Sequence, residues 1–554
     1  MPAKREWLVF VPPWVLGTIL RLYQLPTQIL VDDEWHLVHK LRNGGGLTSL
    51  ATDFGISDHS IGLGVCTWLI MQLTCVDELM LRLPSLLAGQ LIVALVPALL
   101  ASLIGREAGI VLAWGLAVSP LLCFFSRLAR PYAITTLLTC LAAVGFYRWF
   151  ITTGKGHRSA WWYLLSASLA PLFHLAALPA VLAPASLVVL ARLFPPPSPP
   201  PSYRQITCLL LGTAGMMVFF LTPPALHSAG SVVTKLHADQ LQLSTLPGLV
   251  ELLAGSGRAV VVVVVGAFAG IGIVALTRRD RLLATYLLTV IGAQLSALVA
   301  AGPLMLHVPI VAARYLVIVL PLLWVFPAVG VVAVARRVGA LGSAAAAHTL
   351  GATTAAALVA LGPLGWIYRY PNDFTNHMSY QADYVPDRYS ERFRPTVVSP
   401  FYAELATRPA GSVTIVEAPW FYYFHGLAYA QRLHRQHVLI GFVDDHPVIV
   451  RDGEVARADP GIRLRRTVHL SDRTTLKEKR VDFVVLHRHV LQEMRWLTGV
   501  TEPPQIDMKR WETRYRRWFG PPVFEDAQLV VFSTAKQIGS PGETRENPTR
   551  RVPH

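Results

Sequence analysis

Three consecutive acids, Asp32-Asp33-Glu34, follow the first apolar run of the chain and precede two histidines, His36 and His39. A carboxylate so close to lipid is costly unless it is solvated or used. If the stretch is helical, Asp32, His36 and His39 fall at i, i+4 and i+7 and share one face. Two chemistries fit that pattern. A carboxylate at the mouth of a membrane cavity can act as general base toward an acceptor hydroxyl or amine while a sugar leaves a phosphate carrier. Asp32 with the two histidines could instead hold a divalent metal that neutralises the leaving phosphate. The plain structural alternative is a solvated helix start, where acids favour the first turn.

Further along, "DFGISDHS" supplies Asp53, Asp58 and His59, and "RLPSLL" supplies Arg82 and Pro84. "FFSRLARPYA" puts Arg127 and Arg130 at the outer end of an apolar run, and Arg314 in "AARYLVIVLP" lies at the same expected level. Arginines at that depth either reach to lipid head groups or grip a phosphate. Several cations meeting an acidic loop at one depth is the pattern that suits a lipid-linked phosphate. Lys235, His237 and Arg258 could join it, although each also reads as ordinary loop surface.

These residues need helices to hold them. Of the 554 residues only 15% are charged, against roughly 25% in soluble proteins, and the mean hydropathy is +0.45. Apolar runs of about 18–25 residues recur to about residue 366, as in a polytopic membrane protein. The first, "WLVFVPPWVLGTILRLY", lacks a small-residue cleavage site and reads as a retained span. The net charge is +15. Nucleic-acid binding is one reading of that surplus, but basic cytoplasmic loops and contact with anionic lipid or phosphate fit a membrane chain better, so no nucleic-acid partner is expected. The five cysteines show no CxxC, zinc or haem spacing.

Basic residues mark alternate connections: Arg106, Lys155 to Arg158, Arg192 to Arg204, Arg278 to Arg281, and Arg336-Arg337. Placing them all in the cytoplasm satisfies the positive-inside rule. This requires about 11 spans, including 161–177 and 178–193, and requires that Ser60 to Leu73 does not cross, being short for a span. The acidic loop 26–80 and the C-terminal region then lie outside, and Thr222 to Arg258 is expected as a long, polar outer loop. From about 367 the composition changes. "SVTIVEA", "HVLIGFV", "VDFVVLHR" and "QLVVFS" read as short strands of a soluble α/β domain, 367–540. The tail 541–554 is expected to be disordered. The aromatic run "EAPWFYYFHG" could stack on a sugar acceptor or simply fill a core. The expected fold is mainly α: a polytopic bundle, 1–366, with a C-terminal α/β domain.

The order "DDEWHL", "DHSIGLGVCTWLI", "LRLPSLLAG", "SPLLCFFSRLARPYA" and "ARYLVIVLP" resembles the polytopic GT-C glycosyltransferases, in particular bacterial relatives of protein O-mannosyltransferases and aminoarabinose transferases (family 39 and its neighbours). The resemblance spans roughly residues 8–335. It implies a polyprenyl-phosphate-linked sugar as donor, a glycan, lipid or protein as acceptor, and reaction at the outer face of a bacterial inner membrane. The family's Asp-Glu pair falls on Asp33 and Glu34, which implies that Asp33 is the general base with Glu34 beside it. Two departures stand out. Where many relatives have a basic-Pro-Pro stretch, this chain reads Asp58-His59-Ser60. Where many carry a second acid, it reads Arg127 to Tyr132 without one, leaving Asp58 or Asp53 as substitutes. The donor phosphate would be held by Arg127, Arg130, Arg314 and His59. The residues single out no cofactor with certainty, and a divalent metal is compatible with them. A transporter or flippase of lipid-linked glycans is the alternative, and it calls for charges within the spans rather than at their ends.

Overall fold

A computed structural model describes residues 6–30, 34–43, 46–54, 59–152, 157–196, 198–364, 398–419, 430–431, 433–442, 462–471, 473–488 and 508–535. The chain divides into two compact units: Met1–Tyr370 with Thr375–Arg394 and Ala458–Arg465, and Pro371–Phe374 with Pro395–Arg457 and Arg466–His554. The tail 541–554, and the aromatic run from Trp420 onward, lie outside the described residues.

The first unit is a helical bundle, and the chain is a multi-pass membrane protein. Among the described residues nine helices are long and apolar enough to cross a membrane, and the bent pair Arg106–Val118 and Pro120–Ser126, at 59° to each other, makes a tenth. The further span expected at 161–177 is the helix His157–Phe173, 17 residues long, with a polar first turn. It nevertheless runs back along Tyr132–Ile151. A Cβ on Gly145 would touch Ser159 O and Tyr163 N at one end of the pair, and His174 meets Tyr132 at the other. The helix Ile61–Leu73 has 13 residues, about 20 Å, which is too short to cross.

One expectation fails. Thr222 to Arg258 is not a long polar loop: the helix Tyr203–Val233 continues through Pro223 and Pro224 with a single break at Ser228, and a second helix spans Leu246–Ala254. Both prolines leave earlier carbonyls without donors. At the break itself, Ser228 Oγ donates to Pro224 O at 3.1 Å.

Small residues let the helices approach. A Cβ on Gly272 would lie 1.8 Å from Phe326 O, and one on Gly330 would lie 1.9 Å from Phe268 O. Ala259–Arg279 and Val325–Arg337 therefore cross with backbones in contact, the packing that glycine permits in lipid. The bundle has two chemically distinct ends. At one end Arg279 donates to Ile104 O (2.7 Å), Arg148 to Leu99 O (2.7 Å), Arg336 pairs with Glu107 (3.0 Å), and Tyr147 OH donates to Asp280 (3.1 Å). The basic connections thus gather on one side. Glu34 and the helix ends around Arg82, Arg130, His174 and Arg314 gather on the other.

Buried Arg21 explains how the bent pair survives in lipid. Pro120 has no N–H for the Leu116 carbonyl four residues back. Arg21 Nη2 donates to that oxygen at 3.2 Å, Nη1 donates to Ala117 O (3.1 Å) and Gly17 O (3.0 Å), and Nε donates to Ser126 Oγ (3.3 Å).

The second unit is α/β. Its sheet has the order β3-β2-β1-β4-β6-β5, with β1 Thr414–Ala418, β2 His437–Phe442, β3 Thr467–His469, β4 Phe483–His487, β5 Phe524–Glu525 and β6 Leu529–Ser533. The first four are parallel, whereas β6 runs antiparallel to β4 and to β5. Strands β1, β2, β4 and β6 are those read from the β-branched runs. Alternate residues fill two cores: Val416, Val484, Leu486 and Phe532 pack with Trp511 and Tyr515 on one face, while Ile415, Val485 and Val531 pack with Phe401 and Leu405 on the other. Burial on both faces is why these strands read as near-continuous apolar runs.

Candidate functional site

The helix Glu34–Asn43 begins with a glutamate that is 1% exposed. Its carboxylate is gripped from two sides by Arg82, with Nε to Oε1 and Nη2 to Oε2 both at 2.8 Å. Oε1 also accepts the Ala129 N–H at 2.8 Å. Arg82, fully buried near the start of the helix Glu78–Ile104, spends its remaining hydrogens on backbone. Nη1 donates to Gln28 O (3.1 Å) and Nη2 to Ile29 O (2.7 Å). Those carbonyls belong to non-helical chain that lipid could not satisfy. Trp35 Nε1 covers Leu30 O at 2.9 Å. The motifs "DDEWHL", "LRLPS" and "SRLARPY", far apart in sequence, are thus one hydrogen-bonded knot. Ser85 Oγ tightens it by donating to Arg130 O at 2.6 Å.

The expected site residues distribute unevenly around this knot. Asp33, Asp32 and Asp58 lie outside the described residues, as does the side chain of His39. Glu34 has both oxygens engaged in a bidentate ion pair with Arg82. Arg127 sits against the end of the first helix, where its Nη1 donates to Leu20 O (3.0 Å), Arg21 O (3.1 Å) and Tyr23 O (2.7 Å). Any phosphate contact must come from its other nitrogens. Arg130 is buried, with its guanidinium 5.9 Å from the Tyr132 ring, and Arg314 lies 5.2 Å over Tyr315.

His59 places Nδ1 3.3 Å from Phe54 O. A carbonyl only accepts, so Nδ1 carries the proton, and neutral His59 would offer an acceptor, not a donor, at Nε2. Holding a phosphate there requires the imidazolium form. Asp53 ends the short helix Leu47–Thr52, and His36 is half-buried on the helix after Glu34. Among the described residues no three His, Cys, Asp or Glu side chains gather as a metal site, and the metal reading rests on Asp32 and His39, outside what is described.

The structure adds residues that sequence reasoning did not select. Tyr132 and Tyr315 carry the two arginines, and His174 stands between them, 5.3 Å from Tyr132 and 5.7 Å from Tyr315 by ring centres. His174 lies in "PLFHLAALPA", an apolar run with no motif, and only packing of three elements reveals it.

Residues 58–223 match the family described as dolichyl-phosphate-mannose-protein mannosyltransferase, well under half of the chain. No curated protein matches. Among solved structures, ArnT from Cupriavidus metallidurans in the apo state is 13% identical, over 95% of this chain and 97% of that one, with a TM-score of 0.46. The Archaeoglobus fulgidus oligosaccharyltransferase, tethered to an acceptor peptide, is 14% identical over 87% and 69%, with a TM-score of 0.41. Arabinofuranosyltransferase AftD from Mycobacteria is 14% identical over 96% and 40%, with a TM-score of 0.40. At such scores the likeness establishes no shared activity. The family match, by contrast, falls on the stretch carrying "HSIGLGVCTWLI", "LRLPS" and "SRLARPY". Over residues 58–223 the chain is similar to the dolichyl-phosphate-mannose-protein mannosyltransferase family, which bears out the GT-C glycosyltransferase resemblance of its motifs.

Proposed function

We propose that this chain is a membrane glycosyltransferase that moves a sugar from a polyprenyl-phosphate donor to an acceptor at the outer face of a bacterial inner membrane. The observation that carries the reading is the knot of Glu34, Arg82 and Ala129. It ties Glu34, at the start of its helix, to Arg82 and to the loop that bears Arg130. Sidedness follows from charge: the basic connections gather at the opposite end of the bundle, and basic loops stay in the cytoplasm. The C-terminal α/β domain then lies outside as well.

In this mechanism the Asp33 carboxylate takes the proton from an acceptor hydroxyl or amine. The freed lone pair attacks the anomeric carbon, the bond from that carbon to the phosphate oxygen breaks, and polyprenyl phosphate departs with the bonding electrons. One direct displacement inverts the anomeric centre. Arg130 and Arg314 offset the charge that grows on the leaving phosphate. ArnT has been seen with undecaprenyl phosphate and the archaeal oligosaccharyltransferase with dolichol phosphate, which is the carrier class proposed here. The acceptor class stays open among glycan, lipid and protein.

The test is transfer of radiolabelled sugar from polyprenyl phosphate by the purified full chain. Asp33→Asn should abolish transfer while thermal melting and membrane insertion stay as in the parent protein. Full activity of that variant removes Asp33 as the base.

A further inference from the structure

Five side chains form a row across three elements: Arg130, Tyr132, His174, Tyr315 and Arg314. Arg130 lies 5.9 Å from the Tyr132 ring, Tyr132 meets His174 at a 40° tilt, His174 meets Tyr315 edge-on at 80°, and Arg314 lies 5.2 Å from the Tyr315 ring. Tyr132 and Arg130 are buried, whereas His174, Tyr315 and Arg314 are half-buried, so the row opens at the histidine and beyond it.

His174 caps the short turn Leu175–Ala177, and its Nδ1 accepts the Ala176 N–H at 3.2 Å. A cap alone needs only one acceptor, which asparagine, aspartate or serine supplies more often. What imidazole adds is the second nitrogen. Because Nδ1 accepts, the neutral ring carries its proton on Nε2 and is a donor there. A neutral donor between two cations adds direction to anion binding without a third charge to desolvate.

We propose that His174 is a ligand-binding residue that donates its Nε2 hydrogen to a non-bridging oxygen of the polyprenyl phosphate, between Arg130 and Arg314. The inference rests on the donor class proposed above and gives that donor a contact which neither the motifs nor the family match assigns. It involves binding only, with no proton transferred.

The experiment uses the purified full chain in nanodiscs and measures binding of a short-chain polyprenyl phosphate beside the uncharged polyprenol of equal length. His174→Asn keeps an acceptor near Nδ1, and hence the cap, but loses the distal donor. His174→Gln places an amide N–H near Nε2. The expected result is that H174N melts as the parent does, binds the phosphate about tenfold more weakly, and binds the polyprenol unchanged, while H174Q recovers most of the phosphate affinity. Parent-like phosphate binding by H174N, or an equal loss for phosphate and polyprenol, overturns the role of His174 and leaves the function standing. A parent protein that prefers phosphate no more than polyprenol overturns the donor class, and the inference with it.

Discussion

Glu34 in the helical unit and Glu417 in the α/β unit are each 1% exposed, and each meets a basic side chain from a distant element. Glu34 takes two nitrogens of Arg82 and a backbone N–H. Glu417, at the end of β1, takes His487 Nε2 from the end of β4 at 2.6 Å and the Tyr402 hydroxyl at 3.1 Å. The difference lies in what else the cation does. Arg82 also covers carbonyls of non-helical chain in a setting without water, and arginine keeps its charge under all conditions. The His487–Glu417 contact is one side chain to another, within a sheet whose backbone is already paired. The first pair holds up irregular backbone, and the second joins two neighbouring strands at their carboxyl ends.

The comparison breaks first at Arg82. Arg82→Met leaves a buried carboxylate unpaired and frees the Gln28 and Ile29 carbonyls, so a loss of about 3–5 kcal/mol is expected. In practice little folded protein should survive purification, which size-exclusion profiles in detergent would register. Glu34→Gln should act in the same direction, more mildly. Set beside Asp33→Asn, it separates support from chemistry: the Glu34 variant should lower the melting temperature, and the Asp33 variant should not. An Asp33→Asn protein as unstable as Glu34→Gln would place both acids in one structural role.

Glu417→Gln should cost less, about 1–3 kcal/mol. The amide can still accept from Tyr402 or His487 but loses its charge and one acceptor. Amide exchange in β1 and β4 of the full chain should quicken, with no change in the helix Glu78–Ile104. Faster exchange in that helix as well would mean that the pair supports more than its own sheet.

Legibility in the sequence follows the same divide. Strands β1, β2, β4 and β6 could be read because alternate β-branched residues are buried on both faces. The importance of "LRLPS" could be read because its order with "DDEWHL" and "SRLARPY" is a family pattern, but nothing in the sequence says that Arg82 grips Glu34 rather than phosphate. Nor does the sequence say that Arg127 spends Nη1 on the carbonyls of the first helix, since an arginine at a helix end looks alike whether it caps carbonyls or meets an anion. Thr222 to Arg258 looks like a loop because the stretch is long and mostly polar, whereas helices fill much of it, one running on to Val233 and another spanning Leu246–Ala254. His174 could not be found at all, since its meaning depends on Tyr132 and Tyr315, which lie 42 positions before it and 141 after it.

The smallest effect expected is one of pH, and it sharpens the contrast between a permanent and a titratable support. His434 stacks on Tyr402 at a 20° interplanar angle, and its Nδ1 accepts the Gln436 N–H at 3.0 Å. Burial lowers its pKa to about 3, from an ordinary 6.5, so the folded unit holds it neutral. The stability this contributes is full above pH 6.5 and is lost progressively as pH falls toward 3, because the unfolded chain takes up the proton first. Glu525 and Asp526 also have lowered pKa values, Glu525 through its bonds to Arg516 and Arg488 and Asp526 through its bonds to Ser399 and backbone N–H groups, which outweigh burial. Their contribution fades only as pH falls below the ordinary carboxylate values of 4.5 and 3.8. Between pH 6.5 and 4.5, then, this part of the slope belongs to the histidine. His434→Asn keeps the acceptor for Gln436 and removes the titration, so amide exchange in β1 and β2 should lose that part of its pH dependence. A slope between pH 6.5 and 4.5 that persists in the His434→Asn protein would mean that another group in this unit titrates there.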